Sequence, residues 1–389
     1  MSIQDIARPS TVHLANADLL RGLCGGAVYL PGDAGYDEAR TPWNVAVDQR
    51  PAAVAFPANA VETAQLVRAA VAAGLRVAPQ STGHNAGPLG RLDDVVIVRT
   101  SGMTHVDIDP ARQRARVGGG ALWLPVVEAA AAQGFAVLHG SSPDVGVAGY
   151  SLGGGIFMYS RKLGMQTNNI TGVELVTATG SIVWASATEN AELFWAVRGG
   201  GGNFGIVTAL EFAIFPFQDA YAGMLVWDRT ETERVIRAWA DWAGTAPDEV
   251  TTSFRVLNLP PLPDIPEPFR GRQLVVIDGA VLDTAGVGPS GSMCSRASEA
   301  TGTRPKVSIS GSRARSAARI SMLRSSVSST APSMTTSWRP RNGSGISGDG
   351  GRFSTRNDVV TSSGAVRAHS AQARSTRSVS VRSHTSIPA

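Results

Sequence analysis

Cysteine is almost missing from this chain of 389 residues. Only Cys24 and Cys294 occur, so neither a disulfide framework nor a cysteine metal cluster is available. A reducing compartment is acceptable on that ground without being required. Long apolar runs are missing too. No stretch approaches the roughly 18 apolar residues that a membrane-spanning helix needs. Asp5, Arg8, His13, Asn16, Asp18 and Arg21 interrupt the beginning of the chain, which removes the continuous apolar stretch of a secretory signal. The expectation is a soluble cytoplasmic protein that does not enter a membrane. Charged residues are sparse at 17% of the chain, below the usual quarter. The six histidines fall at no zinc spacing, and His105 and His139 stand isolated, so no metal site is expected. Neither a G-x-S-x-G nucleophile elbow nor a P-loop is present.

Glycine, by contrast, is abundant at 43 residues, and charge is unevenly divided. Residues 290–389 hold 15 basic and 3 acidic side chains, a net +12, which leaves 20 basic and 28 acidic side chains in 1–289, a net −8. The formal +4 of the whole chain therefore hides an acidic body and a basic tail. The tail also holds 26 serines and only two aromatics, Trp338 and Phe353. Such a composition cannot bury enough apolar surface to offset chain entropy. Three readings compete for it. One is a natural disordered tail. Another is an RNA-binding arginine–serine segment, but regular Arg-Ser repeats and interleaved stacking aromatics are absent, so nucleic acid is not the expected partner. The third is a translation in the wrong reading frame. The switch is abrupt and falls within an apparent strand–helix–strand unit, and Ser/Arg/Ala/Thr/Gly is what an out-of-frame, GC-rich gene would encode. The third reading is favoured.

The body mixes helices and strands. Residues 2–24 read as a short helix, and 60–73 as a firmer one with Val61, Ala64, Val67 and Val71 at helical spacing and Leu66 beside them. With strands at 51–57 and 75–78 this makes a strand–helix–strand unit, closed by Gly74 as a helix cap. Further strands are expected at 95–98, 106–109, 114–117, 173–177, 182–184 and 206–215, with helices at 122–133 and 192–197. A new unit begins near Tyr221, with strands at 224–227, 251–256 and 273–277 and a helix at 230–242.

Three segments could carry chemistry. The first is Pro79-Gln-Ser-Thr-Gly-His-Asn-Ala-Gly87. Small residues at Ser81, Thr82 and Gly83 let backbone N–H groups approach an anion such as a pyrophosphate. His84 in its middle can be a ligand, a general base or a covalent anchor, or simply a surface histidine in a turn. The second is the stretch from Gly140 to Ile156, dense in small residues at Gly146, Ala148, Gly149, Gly153, Gly154 and Gly155. Such density implies backbone running close against something flat or charged, or a turn-rich loop. The third is Arg198-Gly-Gly-Gly-Gly-Asn-Phe-Gly205, a weak G-x-G-x-x-G match. A dinucleotide fingerprint follows a strand and opens a helix, whereas this run follows a helix and opens a strand, which excludes the nicotinamide reading.

In this order the three segments resemble the FAD-linked oxidases of the vanillyl-alcohol-oxidase type, and within them the berberine-bridge-enzyme-like group, over residues 35–289. The resemblance implies an α+β fold with a bilobal FAD-binding domain of the PCMH type over 35–217, preceded by a helical segment at 1–34. An incomplete α/β substrate domain, built on an antiparallel sheet, would occupy 218–289 and a disordered or frameshifted tail 290–389. It implies bound FAD, held covalently through His84. Pro79, Gln80 and the backbone of Ser81, Thr82, Gly83, His84 and Asn85 would hold one side of the cofactor. Ser142, Asp144, Val145, Gly149, Tyr150, Gly153, Gly154 and Gly155 would line the other, with Ile206 and Val207 against the adenine or ribityl portion. The activity implied is oxidation of a small-molecule alcohol, sugar or secondary metabolite by hydride transfer to the flavin, with dioxygen as electron acceptor. Two departures stand out. Many members carry a second flavin-linking cysteine where this chain has Ser142. Members also end on a Tyr-x-Asn segment, while no tyrosine follows Tyr221 here, so no catalytic base is assigned.

Overall fold

The computed structural model describes residues 9–282, apart from 218, 264 and 266, and two short strands at 307–309 and 313–315. The chain divides into two compact units, Met1–Ser333 and Met334–Ala389, and the second lies outside the described residues, as do Cys294 and most of the tail.

The first helix, α1 (Thr11–Asp18), is shorter than the expected 2–24. Ser10 caps it by accepting from the His13 N–H, and residues 2–8 lie outside the described part. Strand β1 (Val28–Tyr29) and the short helix α2 (Tyr36–Arg40) lead to β2 (Ala53–Ala55). Helix α3 (Ala60–Ala72) then crosses to β3 (Arg76–Gln80), and β4 (Val95–Arg99) inserts between β2 and β3. Both pairings of β4 are parallel, with Val96 opposite Ala53 on one side and Val77 on the other. Residues 95–98 are all buried, as a parallel strand covered on both faces requires. Asn59 and Glu62 cap α3 reciprocally: the Asn59 side chain accepts from the Glu62 N–H, and the Glu62 carboxylate accepts from the Ala58 N–H. Its buried face runs through Thr63, Ala64, Leu66, Val67 and Ala70. Val61 and Val71, expected on that face, are instead 57% and 56% exposed.

The second sheet is antiparallel, in the order β5 (Val106–Asp109), β6 (Arg114–Gly118), β9 (Ile206–Ala213), β7 (Ile170–Val176) and β8 (Ile182–Ser186). One face packs under α4 (Trp123–Ala132) and α7 (Ala191–Gly200), burying Trp123, Val126, Phe194 and Val197 against Val173, Leu175, Leu210 and Phe212. Each such side chain stabilises the fold by about 1.5–3 kcal/mol relative to exposure. The other face is polar: Arg116 pairs with Glu174 at 2.9 Å and lies over the Trp184 ring. Val176 and Ile206, at one end, enter the core beneath α3 and so join the two sheets.

The third sheet is also antiparallel, with β12 (Gln273–Val281) between β10 (Asp219–Asp228) and β11 (Val250–Asn258). Helix α8 (Thr232–Thr245) packs Val235 on one face, against Leu225, Trp227, Val275 and Ile277. Ala220, Ala222, Ala280 and Leu282 on the other face meet Leu138, Phe157, Met158 and Tyr159. In the stretch expected to be structureless, β13 (Val307–Ile309) and β14 (Arg313–Arg315) pair with β10. The edge of β10 offers free backbone donors and acceptors, which a strand can use regardless of its side chains. No helix among the described residues is long and apolar enough to cross a membrane.

Candidate functional site

The first glycine segment opens inside β3: Pro79 and Gln80 belong to that strand. Proline is tolerated there because β3 lies at the edge of its sheet. Gln80 is buried, donates to Gln49 Oε1 at 3.0 Å and accepts from Arg99 Nη1 at 2.7 Å. The same guanidinium reaches the carbonyls of Ser81, Thr41 and Ala39, so Arg99 ties the start of the loop to the chain before β2. The loop then turns at Gly83, whose φ of +83° disfavours any side chain. A Cβ there would also lie 2.6 Å from that of Pro42.

His84 is held by two contacts. Its Nδ1 lies 2.7 Å from Thr82 Oγ1. The Trp43 indole stacks on its ring, with centroids 3.9 Å apart and planes within 15°. The Trp43 N–H of the backbone donates to the Thr82 carbonyl, and its indole Nε1 donates to Asp144 Oδ2 at 2.7 Å. His84 Nε2 is buried without a partner. Burial pushes the imidazole pKa below its ordinary value, and the Asp144 carboxylate partly opposes this. Asn85 is exposed at the end of the loop.

The second segment comes to the same place. Ser142, Asp144 and Val145 are half-buried, and Gly146 precedes a six-residue helix, α5 (Val147–Leu152), where the sequence reading had only a loop. A Cβ on Gly146 would lie 2.6 Å from Ser81 Oγ, so the two segments touch. Gly149 and Gly153 are exposed, and a Cβ on Gly149 would meet nothing. Gly155, with φ +72°, passes between the Tyr150 ring and Gln166. Tyr150 packs edge-on against Trp123, and its hydroxyl is buried without a partner, which pushes its pKa up. Ser151 Oγ, Thr167 Oγ1 and both amide atoms of Gln166 are likewise buried and unpartnered. A buried polar atom left unpaired costs about 1–3 kcal/mol. Together they form a buried polar region beside the glycines.

The third segment closes the arrangement. Helix α7 breaks at Arg198 and Gly199, and in the turn that follows a Cβ on Gly202 would lie 2.6 Å from Pro79 Cγ. Ile206 and Val207 follow in β9. Their side chains are buried in the two hydrophobic cores, Ile206 beneath α3 and Val207 with Trp123, so apolar packing is their observed environment. The sequence reading missed Trp43, Arg99 and Gln166. Asp144 is 101 residues from Trp43, and no periodicity or short motif announces a contact at that distance.

A family model for an FAD-binding domain matches residues 51–186. This segment is an FAD-binding domain. The buried unpaired donors and acceptors around it suit a cofactor that offers both. The chain is 37% identical over 209 residues to (R)-6-hydroxynicotine oxidase of Paenarthrobacter nicotinovorans, covering 54% of this chain and 46% of that one. It is 33% identical over 228 residues to glucooligosaccharide oxidase of Sarocladium strictum, covering 57% and 46%. The chain therefore spans about half the length of these curated relatives. Among solved structures, glucooligosaccharide oxidase from Acremonium strictum, described with a 6-S-cysteinyl, 8α-N1-histidyl FAD, superposes with a TM-score of 0.65 at 26% identity, covering 80% of this chain and 62% of that one. A BBE-like protein of Physcomitrella patens gives 0.64 at 25% identity, covering 77% and 61%. These neighbours share the fold, and it is the α+β FAD-binding fold that the resemblance implies.

Proposed function

We propose that the chain is an FAD-dependent oxidoreductase that carries its flavin on His84 alone and oxidises an alcohol, a sugar or a secondary metabolite. The observation that carries this reading is the His84 imidazole, stacked, oriented and with one buried nitrogen unpaired. When bound, FAD supplies the acceptor for a substrate hydride and passes the electrons on, with dioxygen as the proposed final acceptor. The chain's own groups bind and orient. Backbone N–H groups of 81–85 would hold the anionic part of the cofactor. Trp43 and Thr82 fix the plane of the His84 ring. Burial keeps that ring neutral near pH 7, as a nucleophilic nitrogen requires, and keeps the Tyr150 phenol protonated, a donor and not a base. Ser142 cannot form a thioether, so a second covalent link is not part of the proposal. Cytoplasmic location belongs to the same reading, and cell fractionation tests it.

Purified protein is expected to be yellow and to keep flavin fluorescence on a denaturing gel after acid precipitation. His84→Ala should lose that covalent signal. Colourless wild-type protein from a flavin-replete host would overturn the reading, and acid-stable flavin in His84→Ala would overturn the anchor.

A second reading is a flavin-carrying chain without turnover. Its support is the abrupt change of composition at residue 290, beyond which 26 serines and 15 basic side chains stand beside only two aromatics. Anaerobic mixing with a panel of sugars and hydroxylated heterocycles separates the two: bleaching of the flavin band supports the enzyme, and an unchanged spectrum with every compound supports the carrier.

A further inference from the structure

Gln166 lies outside all three glycine segments, yet it is fully buried, and neither its carboxamide nitrogen nor its oxygen has a hydrogen-bond partner. Its backbone is pinned to the second segment. The Gln166 N–H donates to the Gly155 carbonyl and the Thr167 N–H to the Gly154 carbonyl, each at 2.9 Å. A Cβ on Gly155 would stand 2.8 Å from Gln166 Cβ and 2.6 Å from the Tyr150 ring, so only glycine fits beside both side chains. Tyr150 OH, Ser151 Oγ and Thr167 Oγ1 are unpartnered in the same neighbourhood. The group can both donate and accept, since an amide presents an N–H pair beside a carbonyl and each hydroxyl does either.

We infer that Gln166 is a flavin-binding residue whose carboxamide pairs with the alternating carbonyl and N–H groups on the polar edge of the flavin ring, with Tyr150 and Ser151 completing the seat. The inference rests on the FAD reading above and adds a residue and a contact to it. A carboxamide matches such an edge because donor and acceptor sit side by side on both partners. The competing account is a purely structural amide satisfied by trapped water, which buried polar sites commonly hold. The two accounts differ in what the bound flavin senses. A hydrogen bond to the ring edge changes its absorption and its midpoint potential, whereas a water-satisfied amide in the scaffold changes only protein stability.

The test uses His84→Ala as the parent, so that FAD binding is reversible. FAD dissociation constants, visible spectra and midpoint potentials are compared between His84→Ala and His84→Ala/Gln166→Leu, and the melting temperature of each apoprotein is recorded. The expected result is FAD binding weakened about tenfold, roughly 1.4 kcal/mol, with a displaced flavin band and a lowered potential. The apoprotein should melt no lower than the parent, because leucine removes unpaired polar atoms. Unchanged affinity, spectrum and potential would overturn the inference, as would weaker binding with an unchanged spectrum and potential. Should the leucine variant not fold, Gln166→Glu keeps the shape, loses the amide donors and is expected to lower the potential; an unaltered potential in it overturns the inference equally. Failure of the FAD reading looks different, because wild-type protein would then bind no FAD.

Discussion

At His84 two influences oppose each other. Desolvation lowers the imidazole pKa and the Asp144 carboxylate raises it, and desolvation is the larger. Its proton should therefore leave below the ordinary value of about 6.5. The sign for stability follows. The unfolded chain takes up a proton at about 6.5 before the folded one does, so stability falls as pH drops through that value, and the loss stops growing below the folded pKa. Melting of the apoprotein between pH 7.5 and 5 should accordingly show a steeper decline for wild type than for His84→Asn; parallel declines would refute the shift. Trp43 makes a separate prediction. Aromatic stacking is worth about 0.5–1.5 kcal/mol beyond burial. Trp43→Ala should slow covalent flavin attachment several-fold, measured as gel fluorescence against time. Trp43→Phe keeps a ring against His84 but loses the bond to Asp144, and should fall between the two. Equal rates in all three proteins would show that the stack does not orient the imidazole.

At the scale of elements, the loop between β3 and β4 depends on one backbone conformation. Gly83→Ala places a side chain at φ +83° and within 2.6 Å of Pro42. A loss of about 1–3 kcal/mol is expected, read from thermal or urea unfolding, with reduced flavin loading. An unchanged melting temperature would mean that the segment before β2 yields easily. The same scale shows how far local patterns reached. The 3.6-residue period located α3 to within a residue, because an amphipathic helix repeats its signal along its own length. It placed Ala64, Leu66 and Val67 on the buried face correctly but misjudged the edges of that face: Val61 and Val71 are exposed while Thr63 and Ala70 are buried, since the facing sheet sets how far the face extends. Helix α5 has no local signal because its glycines argue against helix, and packing of Val147, Ala148 and Leu152 into the core with Trp123 holds it.

Taken as a molecule, the chain brings the three glycine segments together, Gly146 against Ser81 and Gly202 against Pro79, while Val176 and Ile206 join its first two sheets. The cofactor site therefore depends on elements before β10, and residues 334–389 form a separate unit. A chain ending at Ser333 should bind flavin to the same extent as the full chain, measured by absorbance at 450 nm relative to 280 nm. A marked loss would show that the basic end contributes to the site. By itself the sequence determined most of the strands and helices of the body and marked the glycine-rich segments and His84 within the first of them, because these are local: periodicity, turn chemistry and residue type act over a few neighbours. The tertiary structure decided what surrounds that histidine. Trp43, Asp144, Arg99 and Gln166 come from separate parts of the chain, and only the packing of the sheets brings Trp43 and Asp144 to His84, Arg99 to the start of its loop and Gln166 to Gly155.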